Sequence, residues 1–276
     1  MGEVKLPTLM IFGKQQILFL LLNLLIRVIM NQKIIALWST PRSRSTAFRW
    51  MVKQRGDFLV LHEPFGRSAH YSEERIFNRV PDITPQAEYN YQNVLQDLKV
   101  KSQNNRLFIK DFPLHFMQII NNEFIDYFQH TFLIRNPAQM LLFYYYKMPD
   151  IDFEECGYKQ LFELFNKVIE STGKIPVVIN ADDLVENTTN IIKEYCSRIG
   201  IPFIPEALNW NPPGNSNEIS WWDNGSLHDN LRISYGFQNT EKSYLKIHQD
   251  QKLLSLYNLC MPYYEKLNQH RLLEGK

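Results

Sequence analysis

The sequence predicts an α/β fold in which a mostly parallel, five-stranded sheet carries helices on both faces. Short apolar runs alternate about five times with segments of helical pattern, which is typical of this architecture. The runs lie at residues 34–38, 58–61, 107–109, 131–134 and 176–179. Charged side chains follow several runs directly, and ligands of open α/β sheets sit outside the carboxyl ends of the strands. We therefore expect the functional site at that edge of the sheet.

Composition and charge favour one globular domain without a nucleic-acid or membrane partner. The chain has 276 residues, of which 45% are hydrophobic, and this is enough to bury one sizeable core. Its net charge of +1 gives no general attraction to nucleic acid or to an anionic membrane. The cysteines, Cys156, Cys196 and Cys260, are far apart in the sequence and form no C-x-x-C pair. We predict reduced thiols in a cytoplasmic protein.

Residues 1–29 differ from the rest of the chain and are interpreted as an appended segment. An apolar run at 17–26 is broken by Asn23 and closed by Arg27. It is shorter than the roughly 20 apolar residues of a membrane-spanning helix, and no small-residue cleavage site follows it. We predict that translation starts at Met30 and that residues 30–276 form the single domain. A weak membrane anchor is the alternative interpretation.

The first strand leads into a loop and a helix start that suit an anion. The chain turns at Pro41, and Ser45 and Thr46 stand where a helix N-cap and first turn belong. Backbone N–H groups at a helix N-terminus bind phosphate, and the helix dipole favours it. The hydroxyl and guanidinium groups that complete such a cradle come from Arg42, Ser43, Arg44, Ser45 and Thr46. The alternative is an ordinary capped helix with surface arginines.

Residues 40–46, Thr-Pro-Arg-Ser-Arg-Ser-Thr, resemble the 5′-phosphosulfate loop of sulfotransferases, commonly written with a Pro-Lys-Ser-Gly-Thr-Thr core. Arg42 falls on the lysine of that pattern, and Arg44 replaces its glycine. The Pro-Arg-Ser-Arg-Ser-Thr form is similar to that of a bacterial, cyanobacterial-type branch, which most of the chain after Met30 resembles. That branch also has a His-Glu-Pro-Phe sequence, present here at 62–65. The resemblance implies the P-loop-like sulfotransferase fold.

The second strand ends in His62 and Glu63, which are candidates for proton transfer because both follow an apolar run directly. The alternative is that Glu63 pairs with an arginine and His62 lies at the edge of the core. We expect Pro64 to block further strand pairing or helix. Residues 66–91 are then predicted to be irregular, and 93–101 to form a short helix.

Lys110 and Asp111 follow the third strand and are further site candidates. Better-known sulfotransferases have Lys-Thr-His-Leu-Pro at the position that this stretch resembles, with the histidine as base. Phe112 takes the place of that histidine, so the role does not carry over. His115 is expected on the next helix, where a lone histidine is more often structural. It is kept as a further candidate site residue.

The fourth strand ends at Arg135, which resembles the arginine of the family's 3′-phosphate motif. That motif has a serine eight positions later, where this chain has Phe143. The resemblance implies that Arg135 binds a 3′-phosphate without the hydroxyl. A structural salt bridge is the alternative. Residues 234–237 are similar to the family's C-terminal cofactor loop over a short stretch.

The rest of the chain completes the alternating pattern. The remaining predicted elements are helices at 157–172, 188–199 and 253–267. We expect Pro262 to interrupt the last of them. Asp182 and Asp183 follow the fifth strand, and we interpret them as helix-capping residues in preference to a magnesium site. Trp221 and Trp222 either cover a ligand or fill the core.

The resemblance implies transfer of a sulfuryl group from 3′-phosphoadenosine 5′-phosphosulfate (PAPS) to a hydroxyl or amine of a small-molecule acceptor, such as a natural product of the paralytic-toxin kind. The catalytic residues would be Arg42, Glu63, His62 and Asp111. In this interpretation Glu63 takes the proton of the acceptor, and Arg42 stabilises charge on the transferring group. No metal is implied, and the sequence does not indicate an oligomeric state.

Two other functions stay open at this point. A nucleotide kinase or nucleoside triphosphatase needs a P-loop Lys-[Ser/Thr] and an acidic residue that holds magnesium, and the loop at 40–46 has no Lys-Ser. A non-catalytic anion-binding relative is the other alternative, and the phenylalanine in place of the serine is the feature that supports it.

Overall fold

The computed structural model describes residues 33–77, 84–214, 216, 228–238 and 247–273. Among these residues the strands are β1 (Ile34–Ser39), β2 (Leu59–His62), β3 (Leu107–Asp111), β4 (Phe128–Ile134) and β5 (Val177–Asn180). The helices are α1 (Ser45–Gln54), α2 (Pro64–Tyr71), α3 (Tyr91–Asn104), α4 (Asn122–Tyr127), α5 (Pro137–Lys147), α6 (Phe153–Cys156), α7 (Tyr158–Thr172), α8 (Ala181–Glu186), α9 (Thr188–Ile199), α10 (Asp229–Arg232) and α11 (Gln251–Asn268). The predictions for residues 1–29 and for Trp221 and Trp222 lie outside the described residues.

The strands form one five-stranded sheet in the order β2-β3-β1-β4-β5, and every pairing is parallel. The strand that opens the described chain is thus the central one. The predicted five-stranded parallel sheet is confirmed.

The centre of the sheet is buried on both faces, as the alternation along β1 shows. Ile34, Ala36 and Trp38 belong to one hydrophobic cluster, together with residues of α3, α5, α7 and α11. Ile35 and Leu37 point the other way, because side chains alternate along a strand, and they pack with residues of α1 and α9. A strand that is buried on both faces has a continuous run of apolar residues in its sequence. Helices on both faces are therefore confirmed as well.

The register brings the carboxyl ends of the strands to one edge. His62 of β2 lies beside Lys110 of β3, and Trp38 of β1 lies beside Asp111. On the other side, Ile134 of β4 lies beside Asn180 of β5. The chain segments that leave these strands meet at this edge.

The expectation that Pro64 blocks a helix was wrong, although β2 does end before it, at His62. Pro64 is the first residue of α2, so part of the stretch predicted to be irregular is helical. Proline suits this position because the first N–H of a helix has no partner within the helix and the ring presets φ. The residue before it, Glu63, makes the turn with a positive φ of 48°.

Other boundaries also differ from the prediction. Lys110 and Asp111 end β3 rather than follow it, and both are fully buried. The short helix expected at 93–101 extends over Tyr91–Asn104, and α11 continues through Pro262. His115 lies in a 3-10 turn, Pro113–His115, rather than in an α-helix.

Candidate active site

The loop between β1 and α1 contains two non-glycine residues with a strained backbone conformation. Arg42 and Arg44 have φ values of 60° and 69°, in the left-handed region. This conformation costs a residue other than glycine about 1–2 kcal/mol. Arg44, rather than the predicted Ser45, occupies the N-cap position of α1. The glycine of the sulfotransferase pattern would take this conformation without strain.

Hydroxyl groups line the loop and the first turn of α1. The Ser43 hydroxyl is buried and donates a hydrogen bond to the Thr40 carbonyl oxygen at 2.7 Å. Ser43 thus uses its side chain to fix the loop. Ser45 and Thr46 are buried in the first turn of α1, where N–H groups lack partners within the helix.

Arg44 joins the loop to a distant segment. Its Nη1 donates to the Gln238 carbonyl oxygen, 194 residues later in the chain. Burial lowers the pKa of Arg44, while the carboxylate of Asp182 acts in the opposite direction. The segment ending at Gln238 includes residues 234–237, so the fold brings the two stretches that resemble cofactor loops together.

Glu63 and Lys110 form a buried ion pair at the ends of β2 and β3. The backbone supports this pair, because the Glu63 N–H donates to the Lys110 carbonyl oxygen at 2.7 Å. Burial alone would raise the pKa of Glu63, but the effect of the Lys110 ammonium outweighs that of burial and holds the pKa below the ordinary carboxyl value. Glu63 is therefore ionised at neutral pH.

His62 lies beside this pair, with its Nε2 3.8 Å from the Glu63 Oε1 atom. Burial lowers the pKa of His62 well below the usual histidine value; Glu63 opposes the shift, while Arg49 and Lys110 add to it. The imidazole is consequently neutral at pH 7.

The carboxylate of Asp111 binds neighbouring parts of the chain. Its carboxylate accepts hydrogen bonds from the backbone N–H groups of Phe65 and Phe112, each at 2.7 Å. The Nδ1 atom of His115 lies 2.7 Å from the Asp111 Oδ1 atom. Asp111 therefore fixes the start of α2 and the turn that carries His115.

Arg135 leaves β4 and reaches back to the loop. Its Nη1 donates to the Arg42 carbonyl oxygen at 2.8 Å, and its Nε donates to Gln139 Oε1 at 2.8 Å. The Gln139 amide in turn donates to Asp182 Oδ2 at 3.2 Å. Arg135, the predicted ligand of a 3′-phosphate, is thus also hydrogen-bonded to the loop between β1 and α1.

Phe143, at the position of the missing serine, contacts the same loop. The Arg42 guanidinium carbon lies 3.7 Å from the centre of the Phe143 ring. A cation over an aromatic face is attracted by the ring quadrupole. Phe143 therefore restricts where the Arg42 side chain can point.

The fold brings the predicted site residues to one edge, with Arg42, Ser43, Arg44, Ser45 and Thr46 on β1–α1, His62 and Glu63 after β2, Asp111 on β3 and Arg135 after β4. Arg49 and Gln139 also lie at this edge, although the sequence predicts no role for them, and it predicts only a helix-capping role for Asp182. Arg49 is buried, and burial lowers its pKa to about 10 against the opposing effect of Glu63. Arg49 lies four residues after Ser45 within α1, one helical turn away on the same side. Gln139 lies in the first turn of α5, within hydrogen-bonding distance of Arg135, which precedes that helix.

The part of the chain that the structure describes contains no cluster of three or more histidine, cysteine, aspartate or glutamate side chains arranged for a metal ion. Within the same residues, no helix has both the length and the apolar character required to cross a membrane.

Comparison with known proteins places most of the chain in one family. Residues 32–271 match a family model described as "Sulfotransferase domain". Two curated relatives from Arabidopsis thaliana, "Branched-chain-amino-acid aminotransferase-like protein 2" and "protein 1", are 25% identical over 245 residues and 27% identical over 238 residues. These alignments cover 86% and 82% of this chain but 42% and 41% of the relatives. The chain therefore spans less than half the length of the curated relatives that it matches.

Two solved structures are also similar to the chain. The sulfotransferase domain from the Synechococcus PCC 7002 olefin synthase aligns with a TM-score of 0.44 at 15% identity, over 82% of this chain and 93% of that one. The sulfotransferase domain from the curacin biosynthetic pathway aligns with a TM-score of 0.38 at 14% identity, over 88% and 93%. The family model carries the assignment: because it spans residues 32–271, which is most of the chain, this protein belongs to the sulfotransferase-domain family.

Proposed function

We propose that the protein transfers a sulfuryl group from PAPS to a hydroxyl or amine of a small-molecule acceptor. The observation that carries the proposal is the meeting of two features at one edge of the sheet. The loop before α1 presents guanidinium groups, hydroxyls and a helix N-terminus, which together suit the 5′-phosphosulfate. The ionised carboxylate of Glu63 follows the strand that ends nearby and suits the acceptor proton.

The proposed chemistry is one displacement at sulfur. The acceptor oxygen or nitrogen forms a bond to sulfur while the bond from sulfur to the 5′-phosphate oxygen breaks. The proton of the acceptor passes to Glu63, which Lys110 keeps deprotonated. Arg42 balances the negative charge that develops on the leaving phosphate, and its role is electrostatic because a guanidinium does not readily give up a proton.

The remaining residues bind or position. Ser45 and Thr46 at the start of α1 would hold the 5′-phosphate, and Arg135 would contact the 3′-phosphate. Neutral His62 would orient the acceptor beside Glu63. For Asp111 we propose positioning in place of the predicted catalytic role, because two backbone N–H groups and His115 already occupy its carboxylate.

Donor incubation tests the proposal and separates it from the alternatives. The protein is incubated with PAPS labelled in the sulfuryl group and with a metabolite extract, with paralytic-type natural products among the acceptors assayed. Transfer of label to a small molecule supports the proposal. Transfer of a labelled γ-phosphoryl group from ATP would instead indicate a kinase. Binding of the product nucleotide without any transfer would indicate the non-catalytic relative.

Substitution of the proposed base gives a sharper test. Glu63→Gln keeps the shape of the side chain but removes the proton acceptor, so turnover should fall about 100-fold or more, while affinity for the product nucleotide changes little. Because the substitution also leaves Lys110 without its counter-ion, Glu63→Gln/Lys110→Met serves as a second variant. If activity persists in both variants and disappears in His115→Ala, His115 is the base.

A further inference from the structure

Three side chains form a continuous hydrogen-bonded line from β5 to the loop. Asp182, at the start of α8, accepts from the Gln139 amide at 3.2 Å. Gln139 accepts from Arg135 Nε at 2.8 Å, and Arg135 Nη1 donates to the Arg42 carbonyl oxygen at 2.8 Å. We call Arg135, Gln139 and Asp182 the relay.

The end point of the relay is the peptide unit that sets the shape of the loop. Arg42 has a φ of 60°, and its carbonyl belongs to the same planar peptide as the Ser43 N–H. Because C=O and N–H of a trans peptide point in opposite directions, fixing the Arg42 oxygen on Arg135 turns the Ser43 N–H away from Arg135. The hydrogen bond is charge-assisted, which makes it stronger than an ordinary one.

The left-handed backbone of the loop needs such support. A strained conformation persists only where the surroundings over-determine it. Ser43 supplies one constraint through its hydrogen bond to Thr40 inside the loop. Arg135 supplies another from outside the loop, and Gln139 restrains the guanidinium that does so.

We propose that Gln139 and Asp182 are positioning residues for donor binding, and that Arg135 supports the donor through the loop peptide as well as through any direct phosphate contact. This inference rests on the proposed function, since it assigns the loop to a nucleotide donor. It predicts that the negative charge of Asp182 strengthens binding of an anionic nucleotide instead of weakening it, because Asp182 holds the loop through Gln139 and through its attraction to Arg44.

The chain offers matched variants for the test. Gln139→Met keeps the approximate length of the side chain and breaks both relay contacts without changing the charge. Asp182→Ala removes the end of the relay, and Asp182→Asn keeps an oxygen that can accept from Gln139. Asp183→Asn is the control, because it makes the same change of charge in the same turn of α8 at a residue that pairs with Arg271 at 3.0 Å.

The first measurement is calorimetric titration with adenosine 3′,5′-bisphosphate and with adenosine 5′-phosphate. Gln139→Met and Asp182→Ala should each weaken both nucleotides by roughly fivefold to tenfold, the equivalent of one lost hydrogen bond. Asp182→Asn should lose less, and Asp183→Asn should bind as the wild type does. If Asp182→Ala instead tightens the 3′-phosphorylated nucleotide, Asp182 acts by simple repulsion and the relay is overturned.

The second measurement needs no nucleotide, so that failure of the proposed function is distinguishable from failure of the relay. Trypsin cleaves after arginine, and cleavage after Arg42 or Arg44 reports local opening of the loop. These two bonds should be cut faster in Gln139→Met and Asp182→Ala than in the wild type or in Asp183→Asn. Unchanged cleavage would overturn the relay. Faster cleavage in a protein that binds neither nucleotide would keep the relay but refute the proposed donor.

Discussion

Glu63 and Lys110 form a buried ion pair in which each residue shifts the pKa of the other. Either charge alone would be costly at this depth, because both side chains are almost fully buried. Together they keep the carboxylate ionised, against the effect of burial. The pKa of Lys110 is lowered by burial and raised again by Glu63. Glu63 is thus deprotonated and able to accept a proton at neutral pH, but its lowered pKa also makes it a weaker base.

Substitution of Lys110 should make the activity sensitive to acid. Glu63 must be deprotonated to accept a proton. Because its pKa is depressed, we expect kcat/KM of the wild type to stay constant as pH falls from about 8 to about 5. In Lys110→Met the effect of burial dominates and the pKa of Glu63 rises, so kcat/KM should fall within that range as pH decreases. The measurement is the pH profile of kcat/KM. Lys53→Met, at a lysine that stacks on Trp50 at 4.9 Å, is the control. A flat profile for Lys110→Met would contradict the role assigned to the pair.

Arg44 allows the strain in the loop to be measured. Arg44→Ala and Arg44→Gly both remove the contact with Gln238, but only glycine adopts a φ of 69° without strain. The glycine variant should therefore be more stable than the alanine variant by about 1 kcal/mol. Urea unfolding of the two variants gives this difference directly. Equal stabilities would mean that the backbone relaxes out of the left-handed region when the side chain is lost.

Asn180, the last residue of β5, joins three elements. Its Oδ1 accepts from the Asp182 N–H at 2.8 Å and so caps α8. Its Nδ2 donates to the Tyr264 hydroxyl at 3.0 Å and to Asn268 Oδ1 at 2.8 Å, both on α11. The side-chain cap predicted for Asp182 and Asp183 thus belongs to Asn180, whereas both aspartates lie in the first turn of α8, where the helix dipole favours them. The Asp182 side chain accepts a hydrogen bond from Gln139.

Asn180→Ala should therefore destabilise the protein by more than the loss of a helix cap alone. Removal of one cap typically costs about 1 kcal/mol, and each buried hydrogen bond lost adds a comparable amount. We expect a loss of about 2–3 kcal/mol in the free energy of unfolding. Asn121→Ala is the control, because Asn121 caps α4 through the Phe124 N–H alone and should lose about 1 kcal/mol. Similar losses in both variants would show that the contacts with α11 contribute nothing.

The molecule as a whole is organised around β1. This strand pairs with β3 on one side and β4 on the other, and its residues divide between the two hydrophobic clusters. Because all strands are parallel, their carboxyl ends gather at one edge, and groups far apart in the chain become neighbours there. The contacts between Arg135 and Arg42 and between Arg44 and Gln238 are examples.

A chain that begins at Met30 should fold and bind nucleotide as the full chain does. The reason is that the described core begins at Ile34 and the family model at residue 32. Sedimentation of cell extracts, followed by nucleotide titration of both chains, tests this. If the shortened chain aggregates while the full chain sediments with membranes, residues 1–29 are an anchor.

The apolar runs were sufficient to predict the sheet, the helices on both faces and the edge at which the candidate site residues gather. This succeeds because burial on both faces requires continuous apolar strands, and a parallel sheet directs all their carboxyl ends to one side. The loop at 40–46, Glu63 and Arg135 could also be identified as candidates from the sequence, because residue type and position after a strand are local properties. The roles of these residues stay proposals.

Contacts between distant residues were decided by the tertiary structure alone. From the sequence, Phe143 is only the residue that replaces the serine of the 3′-phosphate motif, whereas packing places its ring against the Arg42 guanidinium. The sequence shows three separated cysteines, but the fold brings the Cys156 thiol beside that of Cys260, and this neighbour together with burial raises the pKa of Cys156. Nor does it show that Lys110 neutralises Glu63, because a pKa depends on burial and on charges that approach through space. Local pattern determined which groups reach the edge of the sheet, and the three-dimensional packing determined which of them touch and in what charge state.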